Sequence, residues 1–476
     1  MCGIAGAING SKKLNIARCY ESLARRGPDQ RGVWSDETCT LIHTRLAVVD
    51  VENGLQPMKL RFGGEDYILV YNGELYNTPE LRAELTALGH IFTERSDTEV
   101  LLHAYAEWSD KCVEHFNGIF AFAIWERKAK RLFIARDRIG VKPFFYSLRG
   151  GAFIFGSEIK ALLALGVEPE IDGDGIAELI LLAPGRTPGC GVFKHISELK
   201  PGYCGYVGGG EIQIRNYWSL TDREHRDTFS QTVEKVRALV LDAITRQLVS
   251  DVPICTFLSG GLDSSTISSV ASLKLPELHT FTVDYVNNDK YFIPGKFQPN
   301  SDSDYVVKMN DYIGNGSTNH RILLNSTELA DALYDAVDAR DLPGMADVDS
   351  SLLLFCREIK KHATVALSGE CADEIFAGYP WYRDPTIRAG EGFPWAQSTE
   401  YRSEFLRPDY NINAAEFVNS RYRETVNSAD VLPGANSVER RMREMVRLNF
   451  NWFMQTLLDN KDAKVNSEGL YRLAVI

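Results

Sequence analysis

Cys2 stands directly behind the initiator methionine. If Met1 is removed, one residue carries both a thiol and a free α-amino group. That amine has an ordinary pKa of about 7.7–8 and can act as base for its own thiol, so no histidine partner is required. Gly3-Ile4-Ala5-Gly6 are small or apolar and suit burial of the terminus in a sheet. A thiolate that attacks an acyl carbon needs donors for the developing oxyanion, and the Asn72 side chain with the Gly73 backbone N–H offers two. A charged amino-acid substrate needs anchors. Arg45 carries a guanidinium fork for a carboxylate, and Glu74 and Asp97 carry negative charge for an ammonium. Taken singly, each has a simpler reading: a surface charge for Arg45, Glu74 and Asp97, and a hairpin turn for Asn72-Gly73.

Two further clusters lie in the second half. Ser259-Gly260-Gly261-Leu262-Asp263-Ser264-Ser265 follows the short apolar run Pro253–Leu258. Glycines let backbone N–H groups face an anion, and the start of a helix favours negative charge. No Gly-Lys-Ser/Thr follows, so this is not a Walker A loop; its simpler reading is a tight turn. Ser368-Gly369-Glu370-Cys371-Ala372-Asp373-Glu374 follows the run Thr364–Leu367 and sets three carboxylates within five residues. Its simpler reading is an acidic helix start.

The elements that must position these groups differ between the halves. Up to about residue 205, short β-type runs dominate. They are Tyr67–Tyr71 before the Asn72-Gly73 pair, then Gly118–Trp125, Arg131–Arg136 and Phe144–Ser147, with amphipathic helices expected at Pro79–Leu88 and Thr98–Glu107. Gly202–Trp218 reads as a hairpin closing this layered α+β domain. After Leu220, the spacing of Val233, Val236, Val240 and Ile244 predicts a helix over Thr228–Val249. Strands at Pro253–Leu258, His279–Val283 and Thr364–Leu367 alternate with helices from Ser264, at Tyr305–Ile313 and at Ser326–Arg340. That alternation predicts a parallel sheet with ligands at the carboxyl ends of its strands. Asn287–Ser303 and Asp384–Ser398 read as long mobile loops.

Composition narrows the classes. The 476 residues suggest two or three domains, and 24 % charged with 44 % hydrophobic residues is ordinary globular composition. A net charge of −12 argues against a broad nucleic-acid surface. No run approaches the roughly 18 apolar residues of a membrane helix, and the N-terminus lacks the basic and apolar regions of a signal peptide. The nine cysteines include no CxxC pair, which fits reduced thiols and a cytoplasmic location.

In chain order, Cys2–Gly6, Arg25-Arg26-Gly27-Pro28-Asp29, His43-Thr44-Arg45-Leu46, Tyr71-Asn72-Gly73-Glu74-Leu75-Tyr76-Asn77 and Ser96-Asp97-Thr98-Glu99 resemble the glutaminase domain of class II glutamine amidotransferases. Asn117–Ala123 and Ala135–Arg138 continue the resemblance. It implies an N-terminal Ntn-type αββα layer sandwich over residues 1–208. Cys2 would attack the glutamine side-chain amide, release ammonia and leave a glutamyl thioester for water to cleave. Arg45, Leu46, Glu74 and Asp97 would bind glutamine, and Asn72 and Gly73 would form the oxyanion hole. The second cluster resembles the PP-loop of ATP pyrophosphatases, and the third is similar to the SGEGxDE segment of glutamine-dependent asparagine synthetases. Together they imply an α/β PP-loop, adenine nucleotide alpha hydrolase-like domain over residues 222–476. Leu258, Ser259, Gly260, Gly261, Asp263, Ser264, Val283, Ser368 and Gly369 would bind ATP. Glu370, Asp373 and Glu374 would face an acceptor's ammonium or Mg²⁺, with Asp263 and Asp373 as metal ligands. The implied partners are glutamine, ATP and aspartate or an aspartate-like carboxylate; a homodimer is compatible with the resemblance.

Toward the C-terminus the family pattern RKDRMSM…GLEVRVPFLD meets LDNKDAKVNSEGLYRLAVI at Leu458–Ile476. Lys461, Asp462, Gly469 and Leu470 match; the Arg-Met-Ser core does not. The domain is expected to be shortened there, to stop where the strand EVRVPF would begin, and to lack the later lysine loop and hence a cation near the leaving pyrophosphate. Three readings stay open: asparagine synthesis, amidation of another carboxylate by the same architecture, and a glutaminase with an inactive synthetase site and a regulatory role.

Overall fold

The structure is a computed structural model and describes residues 2–10, 14–295 and 301–473. The chain divides into two units, residues 1–179 with 186–220, and residues 180–185 with 221–476. The first unit is built from strands β1 (Gly3–Ile8), β2 (Gln30–Ser35), β3 (Cys39–Arg45), β4 (Met58–Phe62), β5 (Glu65–Leu75), β6 (Gly118–Glu126), β7 (Arg131–Arg136), β8 (Phe145–Arg149), β9 (Ala152–Gly156), β10 (Ser197–Glu198), β11 (Tyr203–Gly208) and β12 (Glu211–Asn216). They form two six-stranded sheets, in the orders β10-β8-β9-β1-β3-β2 and β12-β11-β7-β6-β5-β4.

β1 is buried along its whole length. Its Ile4 and Ile8 enter the apolar layer between the sheets with Ile68, Val70, Ala123, Trp125 and Ile134. Ala5 faces the other way and packs with Cys19, Leu23, Ala161 and Ala164, which belong to the helices Ile16–Leu23 and Ile159–Ala164. The second sheet is covered on its outer side by the helices Thr78–Ala87 and Asp97–Trp108 through Leu81, Leu85, Leu101 and Tyr105. Helix, sheet, sheet and helix therefore stack in four layers, the expected αββα sandwich. A strand covered on both faces needs small residues where neighbours approach closely: a Cβ on Gly6 would lie 2.6 Å from Thr40 O.

Asn72-Gly73 is not a turn. β5 runs through it to Leu75, with Asn72 opposite Ala121 and Gly73 opposite Phe120. The glycine serves close packing, because a Cβ there would stand 2.2 Å from Ile119 O. The hairpin near the end of the unit is present as β11 and β12, and pairing continues to Asn216, so the unit extends past residue 208.

The second unit carries β13 (Ile254–Phe257), β14 (Leu278–Tyr285), β15 (Ser317–Leu324), β16 (Val365–Leu367) and β17 (Tyr471–Leu473), in the order β15-β14-β13-β16-β17 and all parallel. Strand order reverses direction between β13 and β16, the place where open α/β sheets bind ligands. β17 corrects the expectation that the chain stops before this strand: Tyr471 lies opposite Val365. The helix Phe229–Arg246 forms, but of its apolar stripe only Ile244 is buried, while Val233 and Val236 stay exposed. The stretch Ser326–Arg340 is two helices, divided at Ala332. Asp384–Ser398 is not a free loop; it contains the helix Pro385–Ala389, and Phe393 is buried against Trp452. In Asn287–Ser303 a short helix forms at Asn288–Tyr291, and 296–300 lie outside the described residues. Among the described residues no helix is long and apolar enough to cross a membrane, and no cysteine forms a disulfide.

Trp125 is the largest fully buried side chain of the sandwich interior, and its Nε1 donates to Asp36 Oδ2 at 3.0 Å. Trp125→Ala is expected to destabilise this unit by about 3–5 kcal/mol, measured by denaturant unfolding, because a large cavity opens between layers that cannot collapse.

Candidate functional site

The strand β1 begins at Gly3, and Cys2 sits at its mouth. Met1 lies outside the described residues. The backbone of Cys2 is clamped: Arg26 Nε donates to its carbonyl at 3.2 Å, and Arg26 Nη1 pairs with Glu158 Oε1 at 2.9 Å. Ile4 N donates to Ser157 Oγ at 3.0 Å on the same strand. The half-buried thiol points toward Leu46 O, 3.9 Å away. Burial pushes the Cys2 thiol up, Arg45 pulls it down and Asp97 pushes it up, so both charges reach it. A raised thiol needs a base at the moment of attack.

Asn72 is fully buried, and neither its amide nitrogen nor its amide oxygen has a hydrogen-bond partner among the described residues. An unpaired buried amide is costly and marks a site that a ligand completes. β5 is tied to β3 by His43 Nε2, 3.2 Å from Tyr71 O, and β3 pairs with β1 through His43 and Ile4. Asn72 and Gly73 thus sit on the strand facing the nucleophile's strand. Glu74 follows, buried, and Asp97 opens the helix Asp97–Trp108, where Oδ2 accepts from Tyr71 Oη at 2.9 Å and Leu75 N at 3.1 Å. Burial raises the Asp97 carboxyl, and the Tyr71 hydroxyl opposes this.

Arg45 differs from expectation in detail. Its Nη1 donates to Gln30 Oε1 and Val51 O, and its Nη2 to Val49 O and Asp50 O, at 2.8–3.3 Å. The fork holds the 46–51 loop, so a bound carboxylate would have to meet Nε or displace one of these carbonyls. The remaining motif residues position the site. Gly27 lets its turn approach β3, where a Cβ would lie 2.2 Å from Thr44 C. Asp29 accepts from Ala47 N at 2.8 Å. Glu99 accepts from Thr93 N and Glu94 N. Asn77 bridges His115 O and Asn117 N. Asp137 accepts from the backbone N–H groups of Phe120, Ile139, Val141 and Lys142. His43 is not a base: burial pushes its pKa down to about 3, so it stays neutral at working pH.

In the second unit the loops after β13 and β16 border a cavity of about 430 Å³. Leu258, Ser259, Gly261, Asp263, Ser264, Val283, Ser368, Gly369, Glu370, Asp373 and Glu374 all line it. Gly260 does not; it has φ +80°, and a Cβ would lie 2.5 Å from Tyr305 Cβ, so it serves to fold the loop. Gly369 lets the acidic loop meet the loop after β13, since a Cβ would stand 2.7 Å from Asp263 Cβ. The loop is braced by Ser259 Oγ and Ser264 Oγ, 3.1 Å apart. Burial raises the Asp263 carboxyl and Asp373 raises it further. Burial also raises Glu374, whose Oε1 accepts from Tyr379 Oη at 2.7 Å while Oε2 is buried without a hydrogen-bond partner. These carboxylates repel one another, and among the described residues no three acidic, His or Cys side chains converge as a metal site. Tyr285, Asp302, Ser351, Cys371, Tyr379 and Lys461 also line the cavity and were not expected. Lys461 is brought by its helix, Met454–Ser467, back across some ninety residues of sequence to pair with Glu370. The only advance signal was its match to the family's Lys-Asp pair.

Asn72→Ala should lower glutamine hydrolysis by about 10²–10³-fold in kcat. Because the amide has no partner to lose, the same variant should unfold at or above the wild-type midpoint; a large loss of stability would mean a structural role. His43 makes a pH prediction. Its folded pKa lies below the ordinary 6.5. Between those values the unfolded chain takes up a proton that the folded chain refuses, so stability is full above 6.5 and declines as pH falls. Unfolding midpoints over this window should decline more steeply for wild type than for His43→Gln.

The chain matches two family profiles, a glutamine amidotransferase domain over residues 1–218 and asparagine synthase over residues 235–470. It is 49 % identical over 475 residues to asparagine synthetase [glutamine-hydrolyzing] 3 of Bacillus subtilis, covering 97 % of this chain and 77 % of that one. Identity is 34 % to asparagine synthetase [glutamine-hydrolyzing] 1 of the same organism, covering 81 % of this chain and 60 % of that one. It is 30 % to asparagine synthetase [glutamine-hydrolyzing] 2 of Oryza sativa subsp. japonica, covering 80 % and 60 %. With both profiles matched and this identity over nearly the whole chain, the chain belongs to the glutamine-hydrolysing asparagine synthetase family.

Proposed function

We propose that the chain makes asparagine from aspartate, glutamine and ATP, with AMP, pyrophosphate and glutamate as co-products. At the first site, Cys2 attacks the side-chain amide of glutamine and its own α-amine takes the thiol proton. Asn72 and the Gly73 N–H stabilise the oxyanion; Arg45, Leu46, Glu74 and Asp97 hold the amino-acid end of the substrate. Ammonia leaves, and water cleaves the glutamyl thioester to glutamate. The observation that carries this half is the buried, partnerless amide of Asn72 on the strand facing the nucleophile's strand.

At the second site, the PP-loop and Ser368-Gly369 bind ATP in the cavity after β13 and β16, with Val283 beside the nucleoside. The β-carboxylate of aspartate attacks the α-phosphorus, pyrophosphate leaves, and ammonia displaces AMP from the acyl-adenylate. An adenylate is needed because a carboxylate oxygen is a poor leaving group. Mg²⁺ held by Asp263 and Asp373 would offset phosphate charge when bound. Glu370 and Glu374 face the acceptor's ammonium. Nine cysteines, an odd number with no CxxC spacing, support a reducing compartment such as the cytoplasm.

Purified protein supplied with glutamine, aspartate, ATP and Mg²⁺ should form asparagine and AMP in equal amounts. AMP without amide would argue against this reading, and amidation of a carboxylate other than aspartate would transfer it to another acceptor. Cys2→Ala should abolish glutamine-dependent synthesis while keeping synthesis from free ammonia. Mass spectrometry of the mature protein should find Cys2 at the N-terminus; retained Met1 would remove the proposed base.

A further inference from the structure

Tyr71 lies in β5 and is buried in the same apolar cluster as Leu69, Leu101 and Phe120, between the second sheet and its outer helices. A phenylalanine would fill that layer as well. A hydroxyl buried there needs a partner. Tyr71 Oη donates to Asp97 Oδ2 at 2.9 Å, and Leu75 N donates to the same oxygen at 3.1 Å. Tyr71 and Leu75 bracket Asn72-Gly73-Glu74 on one strand. The first residue of the helix Asp97–Trp108 is thus fastened to both ends of the stretch that carries Asn72 and Gly73. That fastening sets the spacing between the Asp97 carboxylate and the Asn72-Gly73 pair.

Burial and the neighbouring Asp97 push the Tyr71 hydroxyl well up, so it stays protonated and is the donor of the pair. Burial pushes the Asp97 carboxyl up, and the Tyr71 hydroxyl and the Leu75 N–H act against that. The other titratable groups at this pair are Cys2 at the mouth of β1, which feels Asp97, and Arg45 on β3, which acts on Cys2. Glu74 on β5 and Tyr76 just after it act on Tyr71. On the helix itself, Glu99 accepts from Thr93 N and Glu94 N. A protonated carboxyl attracts no ammonium, so a donor that favours the charged form favours an ammonium-bearing ligand.

We propose that Tyr71 is a positioning residue for glutamine use: its hydroxyl holds the Asp97 carboxylate in the orientation that receives the substrate's ammonium. The assignment rests on the reading of Asp97 as a glutamine-binding residue and adds to it a residue that touches no substrate. The hydroxyl has two effects. It fixes where the carboxylate stands relative to Asn72-Gly73, and it keeps that carboxylate charged to lower pH than burial alone would allow. It leaves the Cys2 thiol, the α-amine and the oxyanion donors untouched, so its loss weakens substrate binding and spares the chemical step.

Steady-state glutamine hydrolysis by the full chain tests this. Tyr71→Phe should raise KM for glutamine about tenfold and leave kcat within about twofold of wild type. In an Asp97→Asn background the same change should move KM by less than about twofold, because the charge it supports is gone. A wild-type KM in Tyr71→Phe, a fall in kcat as large as the rise in KM, or the full effect persisting in Asp97→Asn would each overturn the assignment. Glutamine binding to Cys2→Ala, which cannot turn the substrate over, is then read by equilibrium dialysis across pH. With Tyr71→Phe added, the weakening toward acid should begin at higher pH; an unmoved profile overturns the assignment. The α-amine titrates in both proteins alike and does not separate them. Should Tyr71→Phe fail to fold, Tyr71→3-fluorotyrosine keeps the ring and strengthens the donor. The weakening should then begin at lower pH than with tyrosine, and no movement would overturn the assignment. Asp97→Asn with a wild-type KM would sink the glutamine-binding reading of Asp97 itself. A raised KM there, with none in Tyr71→Phe, would sink the Tyr71 assignment alone.

Discussion

The nucleophile's backbone is held by a buried charge. Arg26 reaches from the turn after the first helix to the carbonyl of Cys2, and Glu158 pairs with it. Burial works against the Glu158 carboxylate, yet Lys160 and Arg26 hold its pKa below the ordinary carboxylate range. Removing one partner of such a pair leaves the other charged in a dry setting, which is far more harmful than losing an exposed bridge. The clamp fixes where β1 begins, and β1 fixes the sandwich, since its two faces are shared by two apolar layers. Position of the thiol and integrity of the fold are thus one constraint.

The two sites are organised by opposite electrostatic circumstances. Around Cys2 a cation and a carboxylate both act on a thiol that burial has already raised, so reactivity must come from a base and from donors aimed at the oxyanion. In the second-unit cavity anionic groups crowd together, and Asp263 and Glu374 are raised by burial and by their neighbours. There the protein holds negative charge close together. Backbone close approach serves both: Gly73 and Gly369 each bring two chains nearer than any side chain allows.

Much of the candidate site was legible because it is local in sequence. Cys2, Asn72-Gly73, the PP-loop and the acidic loop each lie within a few residues, and their strands follow from short apolar runs. Asn72-Gly73 was misread as a turn on composition: the pair is favoured in hairpins, but a neighbouring strand overrode that preference. The apolar stripe of Phe229–Arg246 gave the helix correctly and its burial wrongly, because periodicity reports amphipathicity and not which neighbour exists.

By itself the sequence determined the candidate reacting groups, the order of the two domains and the chemistry each loop is suited to, since these depend on residue type and short spacing. Only the tertiary structure decided that Arg45 spends its fork on a loop, that Arg26 and Glu158 grip Cys2, that β17 completes the sheet, and that Lys461 enters the second-unit cavity. Each of those is a contact between residues tens to hundreds of positions apart. Their pairing is set by how layers and helices pack, and no local pattern of side chains encodes it.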